Sequence, residues 1–172
     1  MNKKTILIGI IILVIVLAGL IIINHDSGDS SSGNTSQSFS GVKTEINGYS
    51  CMIPEEYQNG NLTDYPGYGL YGTDNDTLYI TVYSNDNDGD TMYNGDWAYF
   101  AEGENNEDEG PTTENRTLDG HEIVYVALHS ESRGDYRLAF FEVNGKRVML
   151  EWRGSDINPG ISNIINSFYA LN

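Results

Sequence analysis

The segment from Asn85 to Asp90 reads Asn-Asp-Asn-Asp-Gly-Asp and contains a dense group of oxygen-bearing side chains that could bind a metal ion. Carboxylate and amide oxygens on a tight turn are the ligands that Ca²⁺ prefers. The spacing excludes an EF-hand, because alignment on the glycine of this segment leaves a second glycine where the loop requires a bidentate glutamate. A looser calcium site formed by Asp86, Asp88 and Asp90 is one interpretation, and a solvated turn without a metal is the other.

Tyrosine is the second unusual feature, since the chain contains 12 tyrosines and most of them lie between residues 57 and 99. Tyrosine rings supply amphipathic contact area and are enriched at binding surfaces. One interpretation is therefore a recognition face formed by Tyr65, Tyr68 and Tyr71. The alternative is structural, because tyrosines in the long loops of a β protein also pack over the core.

Signatures of catalysis are weak in this sequence. The chain has one cysteine and three histidines, and they do not show the ligand spacing of a zinc site. A nucleophile motif of the Gly-x-Ser-x-Gly type is absent. Glycoside hydrolysis needs a pair of carboxylates, and so acidic a chain offers many pairs without singling one out. A hydrolase that uses acidic residues is therefore an alternative function to which no catalytic residue is assigned.

An uncharged, apolar run from Thr5 to Ile23 has the length of a membrane-spanning helix. With a rise of about 1.5 Å per residue, such a helix nearly spans the roughly 30 Å of a bilayer's hydrocarbon core. Lys3 and Lys4 precede the run, and the next lysine or arginine is Lys43, so the positive-inside rule predicts a cytoplasmic N-terminus. A cleaved signal peptide is less favoured, because the run is long and its end lacks a small-residue cleavage site.

These signals predict a single-pass protein of the cell membrane. Residues 1–4 form a cytoplasmic tip and residues 5–23 form the transmembrane helix. Residues 24–41, rich in Ser, Gly and Asn, form a flexible stalk. Residues 42–172 have the length of one domain, which the predicted orientation places outside the cytoplasm.

Four Asn-x-Ser/Thr sequons follow the predicted transmembrane helix, and three or four of them are expected in loops. Each is a candidate for N-glycosylation in a host that has the machinery. The acceptor residues are Asn34, Asn61, Asn75 and Asn115.

The chain is strongly acidic, with 9 Lys and Arg residues, 25 Asp and Glu residues and a formal net charge of −16. Nucleic acids and anionic lipid headgroups both require basic surfaces, so the composition excludes them as partners. The charge is also uneven, since no lysine or arginine occurs between Thr44 and Asn115. Besides the membrane itself, the partner classes we expect are an envelope protein or a glycan.

Alternating apolar residues predict an antiparallel sheet. Asn47-Gly48 and Asn144-Gly145 each separate two such runs, which is typical of a type I′ hairpin. Further strands are predicted at 78–83 and 121–130, both apolar enough on two faces to be covered on both sides. By contrast, residues 55–68 are predicted to be irregular and 102–110 to be an exposed loop.

Two helices complete the predicted α+β fold, in which an antiparallel sheet packs with a middle helix and a C-terminal helix. The middle helix is expected over 91–104, after an acidic turn at 86–90. The C-terminal helix follows from a cap at Asn158 or Asp156 and from apolar residues at spacings of three and four. These residues are Ile161, Ile164, Ile165, Phe168 and Leu171.

Three stretches resemble the PsbP/Mog1-like family, whose members share an antiparallel sheet packed between helices. Gly48-Tyr49-Ser50-Cys51-Met52-Ile53-Pro54-Glu55-Glu56-Tyr57 is similar to the family's opening strand, and Leu118-Asp119-Gly120-His121-Glu122 is similar to its glycine turn before a central strand. Ile164-Ile165-Asn166-Ser167-Phe168 is similar to its last helix. The resemblance implies that fold and a binding or assembly role without catalysis.

The function predicted from the sequence is therefore a membrane-anchored surface protein with a non-catalytic binding or assembly domain outside the cytoplasm. The alternatives are an extracytoplasmic hydrolase and a structural component of the envelope. No cofactor is expected apart from the calcium ion considered above.

Overall fold

A computed structural model describes residues 40–102 and 109–171, apart from the side chains of residues 109 and 110. The predicted cytoplasmic tip, transmembrane helix and nearly all of the stalk lie outside the described residues, and so does Asn34. Within the part of the chain that is described, no helix is long and apolar enough to cross a membrane.

The described ranges form ten β-strands and two α-helices. In chain order they are β1 (Gly41–Ile46), β2 (Tyr49–Pro54), a 3-10 turn (Glu55–Tyr57), β3 (Gly60–Tyr65), β4 (Tyr68–Thr73), β5 (Leu78–Tyr83), α1 (Asn87–Ala101), β6 (Glu109–Leu118), β7 (His121–Ser130), β8 (Gly134–Val143), β9 (Lys146–Arg153), α2 (Pro159–Ser167) and β10 (Tyr169–Ala170).

The strands form two sheets in which every pairing is antiparallel. The larger sheet has seven strands in the order β3-β4-β5-β9-β8-β7-β6, and the smaller has three in the order β1-β2-β10. Separate runs of strands and helices, without alternating βαβ units, are the mark of the α+β class. The prediction of an antiparallel sheet with a middle and a C-terminal helix is confirmed.

One face of the seven-stranded sheet packs against the smaller sheet and α2. Ile53 of β2, Ile80 of β5 and Ile164 of α2 all belong to this core and are at most 1% exposed. The side chain of Asn158 caps α2 by accepting a hydrogen bond from the backbone N–H of Ile161 at 2.9 Å. The apolar stripe of α2 is thereby aligned with the sheet.

Helix α1 covers part of the opposite face. Tyr93 and Trp97 of α1 contact Phe140 of β8 edge-on, with ring centroids 5.7 and 5.0 Å apart. Successive strand residues point to opposite faces, so strands between α1 and the smaller sheet need apolar side chains on both. The prediction that 78–83 and 121–130 are strands covered on both sides is confirmed for the centre of the sheet.

Both predicted Asn-Gly hairpins are present. Asn47 and Gly48 join β1 to β2 with φ angles of 46° and 75°, and Asn144 and Gly145 join β8 to β9 with φ angles of 48° and 80°. Two consecutive residues in the left-handed region define a type I′ turn, whose twist matches that of the flanking strands.

The prediction of an irregular segment at 55–68 is wrong over most of its length. The structure has β3 there, joined to β4 by Pro66-Gly67. Proline followed by a glycine with φ of +88° fits a type II turn. Strand β3 lies at the edge of the sheet and even its Leu62 is 56% exposed, so it has no buried face that would give an alternating pattern.

The ends of both helices also differ from the prediction. Helix α1 begins at Asn87, because Asp86 accepts a hydrogen bond from the backbone N–H of Gly89 at 2.8 Å and acts as its N-cap. The acidic turn predicted at 86–90 therefore consists of the N-cap and the first turn of α1. Carboxylates in these positions interact favourably with the helix dipole. Helix α2 ends at Ser167, before β10 pairs with β2.

Two leucines test whether the core between α1 and the sheet stabilises the domain. Leu138 of β8 is 0% exposed in that core, whereas Leu62 of β3 is 56% exposed. Leu138→Ala is expected to lower the free energy of unfolding by about 2–5 kcal/mol, through lost burial and the cavity left behind. Leu62→Ala should change it by less than about 0.5 kcal/mol. Urea denaturation of both variants measures the difference, and equal effects would contradict the placement of Leu138.

Candidate functional site

A cleft of about 340 Å³ lies between α1 and the face of the seven-stranded sheet that α1 covers in part. Strands β4, β5 and β9 form its floor. We call it the tyrosine cleft, and its lining residues are Tyr68, Leu70, Tyr79, Thr81, Met92, Asp96, Phe100, Arg133, Met149 and Glu151. Apolar walls with a few charged groups between them are typical of ligand-binding pockets.

The register of the strands determines which side chains form the floor of the cleft. Leu70 of β4 pairs with Thr81 of β5, and Thr81 pairs with Met149 of β9, so these three side chains form one row across the sheet. In the parallel row, Tyr79 pairs with Glu151. Residues directly opposite each other on neighbouring strands point to the same face, so both rows point towards α1.

Helix α1 supplies one wall. Met92, Asp96 and Phe100 are spaced four residues apart and therefore lie one above another on the same side of the helix. The cleft accordingly runs along the helix. Tyr93 and Trp97 are each one residue further along, and they pack on Phe140 in the core.

The structure brings two of the three predicted tyrosines together. Tyr65 and Tyr68 close the β3–β4 hairpin, and their rings stack with centroids 4.9 Å apart. Tyr65 is 46% exposed. Tyr71 is three residues beyond Tyr68 on the same strand and points to the opposite face, where it is 4% exposed and its hydroxyl donates to the backbone C=O of Tyr57.

A partly buried ion pair lines the cleft. Glu151 is 7% exposed and accepts a hydrogen bond from Arg133, whose guanidinium lies 4.0 Å from the centre of the Tyr136 ring. Arg153 in turn donates to the backbone C=O of Arg133. Burial raises the pKa of the Glu151 carboxyl above its ordinary value, although the positive charges of Arg133 and Arg153 oppose the rise.

Asp96 is the second carboxylate of the cleft. It accepts a hydrogen bond from the hydroxyl of Tyr83, a fully buried residue. Burial, together with this hydrogen bond, raises the pKa of Tyr83. Within the described part of the chain, none of the ion pairs includes Asp96.

Both tyrosines that line the cleft have a raised pKa, which favours the neutral hydroxyl. The hydroxyl of Tyr79 donates to Asp76, and this hydrogen bond, with burial, raises the pKa of Tyr79 to about 12. Burial raises the pKa of Tyr68, and Tyr65 and Asp96 add to the rise. The cleft therefore presents neutral aromatic rings beside carboxylates across the physiological pH range.

A larger cleft of about 530 Å³ lies near the opposite end of β3 but has a different character. It is lined by Gln58, Asn59, Gly60, Asn61, Asp74 and Asn75. These residues offer no apolar wall against which a ligand could be desolvated, so the tyrosine cleft is the better candidate.

The three aspartates of the predicted calcium site have separate roles. Asp86 caps α1, and Asp90 accepts a hydrogen bond from Nη1 of Arg147 at 2.7 Å. Asp88 lies in the first turn of α1. No group of three His, Cys, Asp or Glu side chains that could hold a metal ion occurs among the residues described. Calcium binding stays a prediction.

Three of the four sequon asparagines are described, and all three are exposed. Only Asn75 lies in a turn, where it accepts a hydrogen bond from the Thr77 hydroxyl at 2.8 Å. Asn61 is on β3, with its side-chain amide donating to Asp74 at 2.7 Å, and Asn115 is on β6. The expectation that nearly all of them lie in loops is therefore wrong, while their glycosylation stays a prediction.

The charged residues of the cleft were not predicted from the sequence. Asp96, Arg133 and Glu151 come from a helix, a turn and a strand that are far apart in the chain, and no local motif connects them. One signal was present, since Glu151 is an acidic residue inside the apolar run of β9. Neither a scan against protein-family models nor a search of curated proteins finds a match for this chain.

The pKa of Glu151 gives a prediction about pH. Because the pKa is raised in the folded state, folding favours the protonated carboxyl, and stability is lost as the pH rises from the ordinary value of 4.5 through the folded pKa. Glu151→Gln removes this loss. The free energy of unfolding of the variant relative to the wild type is expected to increase between pH 4 and pH 7, measured by urea denaturation.

Glu142→Gln is the matched control for this prediction, since it removes an exposed carboxylate that pairs with Arg147 at 3.2 Å on the neighbouring strand. The prediction is contradicted if the free energy of unfolding of Glu151→Gln, relative to the wild type, falls as the pH rises. That result would mean that the attraction of Arg133 for the carboxylate outweighs the cost of burying it.

Proposed function

We propose that this chain is a single-pass membrane protein with a cytoplasmic N-terminus, and that its domain binds a partner outside the cytoplasm without catalysis. The observation that carries the binding role is the tyrosine cleft, in which aromatic rings and charged groups converge on one side of α1. A protein or a glycan of the cell envelope is the proposed partner.

The anchoring part of the proposal rests on sequence. The apolar run at 5–23 has the length of a membrane span, and Lys3 and Lys4 precede it. The acidic composition of the remainder suits a domain that is exposed to solvent and does not adhere to anionic lipid headgroups.

We also propose that the domain has the PsbP/Mog1-like fold. The three stretches that carry the resemblance coincide with β2, with the Asp119-Gly120 turn before β7, and with α2. A binding or assembly role, as implied by that resemblance, agrees with a cleft whose carboxylates already accept hydrogen bonds from Arg133 and Tyr83.

An extracytoplasmic hydrolase is the second candidate, because Asp96 and Glu151 line the same cleft. Glycoside hydrolysis uses one carboxylic acid of raised pKa and a second carboxylate. Turnover of a chromogenic glycoside that is abolished by both Asp96→Asn and Glu151→Gln would favour this candidate. A purely structural envelope component, the third function considered, would show neither turnover nor specific binding.

Labelling with a membrane-impermeant maleimide tests the orientation. Cys51 is 0% exposed and burial raises its pKa to about 12, so the native thiol is expected not to react. In intact cells Asn94→Cys, at an exposed position on α1, should be labelled. Asn2→Cys, in the predicted cytoplasmic tip, should be labelled only after lysis. The reverse pattern would contradict the proposed orientation.

Two equally exposed tyrosines test the binding surface. Tyr65, which stacks on Tyr68 beside the cleft, is 46% exposed, and Tyr169 of β10 is 45% exposed in the other sheet. Tyr65→Ala is expected to weaken binding of the purified full chain to isolated host envelopes at least fivefold, because an aromatic contact is lost. Tyr169→Ala should leave binding unchanged. No binding by the wild type, or equal losses in both variants, would contradict the proposal.

A further inference from the structure

The tyrosine cleft is built largely from the acidic part of the chain. No lysine or arginine occurs between Thr44 and Asn115. This stretch supplies β4 and β5, which are two of the three strands in the floor, and α1, which forms the wall. Among the described residues that line the cleft, the positive charge therefore comes from outside this stretch. Arg133, in the turn between β7 and β8, is the cation that lines it.

Arg133 is already engaged by a carboxylate of the cleft. Its guanidinium pairs with Glu151 and lies over the ring of Tyr136. Arg147 of β9 lies 5.0 Å from the centre of the Tyr93 ring and pairs with Asp90 and Glu142. Both arginines are thus neutralised by acids other than Asp96.

Asp96 contributes a carboxylate that takes part in none of the ion pairs of the described residues. It lies on the cleft wall, partly shielded from solvent, with Tyr83 as its hydrogen-bond donor. A partly desolvated carboxylate attracts a cation more strongly than one in bulk water.

The surroundings of Asp96 suit an organic cation better than a metal ion. Tyr68, Met92 and Phe100 line the cleft on either side of it, and aromatic faces attract ammonium groups through the ring quadrupole. A Ca²⁺ ion would require several further oxygen ligands, whereas an ammonium group with apolar substituents packs against rings and the Met92 side chain.

We propose that the tyrosine cleft binds a ligand through an ammonium group that lies against the ring of Tyr68 and beside the Asp96 carboxylate. The inference rests on the proposed binding function and names the ligand class. A primary amine and a quaternary ammonium share this chemistry, and the experiment distinguishes them. Anionic ligands are disfavoured by Asp96 and by the net charge of −16.

The experiment is an NMR titration of the isotopically labelled full chain in a neutral detergent at low ionic strength. The probes are choline chloride, n-butylammonium chloride and 3,3-dimethylbutan-1-ol, which has the shape of choline without its charge. Sodium chloride at the same concentrations controls for ionic strength. Shifts of the amide signals of β4 and α1 report occupation of the cleft, and stronger binding of choline or of n-butylammonium identifies the favoured ammonium type.

Asp96→Asn is the decisive variant. The asparagine side chain keeps an oxygen that can accept the Tyr83 hydrogen bond, so the variant loses the charge and retains the local packing. Asp88→Asn, on the exposed first turn of the same helix, is the matched control. Asp96→Asn is expected to weaken binding of the cationic probe at least tenfold and Asp88→Asn to leave it within twofold.

The outcomes separate this inference from the proposed function. Cleft shifts with an ammonium probe that require Asp96 and exceed those of the neutral alcohol support the inference. Binding of the alcohol as tight as that of choline, or unaffected by Asp96→Asn, overturns the ammonium class and leaves the cleft as a binding site. If no probe shifts the amide signals of the cleft, the inference is overturned. The proposed function is overturned as well only if the envelope-binding assay also shows no binding that depends on Tyr65.

Discussion

The difference in width between the large sheet and the single helix packed on one of its faces governs the rest of the structure. Seven strands spaced about 4.8 Å apart extend over roughly 29 Å, whereas an α-helix with its side chains is about 10–12 Å across. One helix cannot cover such a face. Helix α1 packs through Tyr93 and Trp97 on Phe140, and the strands towards the β3 edge are left beside it. The tyrosine cleft is the space along that side of the helix.

The composition of the exposed strands follows from the same constraint. On the face covered by the smaller sheet and α2, β5 presents Leu78, Ile80 and Val82, all fully buried. On the other face it presents Tyr79 and Thr81 to the cleft. Tyrosine and threonine are favoured in strands and remain compatible with partial hydration. The aromatic surface therefore serves the fold where α1 covers it and is available to a ligand where α1 does not.

Most of the fold could be predicted from the sequence because the relevant signals are local. Asn-Gly turns specify hairpins, and the apolar spacing after Asn158 specifies α2. Strand β3 escaped prediction because it is an edge strand without a buried face. Strand β4 was not predicted either, and its absence misplaced Tyr71, since the alternation that turns Tyr71 away from Tyr68 applies only within a strand. The charged part of the cleft depends on strand register, which joins Tyr79 to Glu151 over 72 residues of chain and has no local signal.

The fold brings the basic last third of the chain into contact with the acidic stretch at only a few points. The basic residues of the last third of the chain reach back to the acidic half at a few points, as where Arg147 pairs with Asp90 and Lys146 donates to the backbone C=O of Asn47 at 2.8 Å. These contacts are too few to balance 16 acidic residues between Thr44 and Asn115. The imbalance is tolerable on a solvated surface, where water and salt screen it. It matters inside a cleft, because removal of water strengthens the field of each carboxylate, and so the least compensated charge of the cleft, Asp96, determines which sign of ligand can enter.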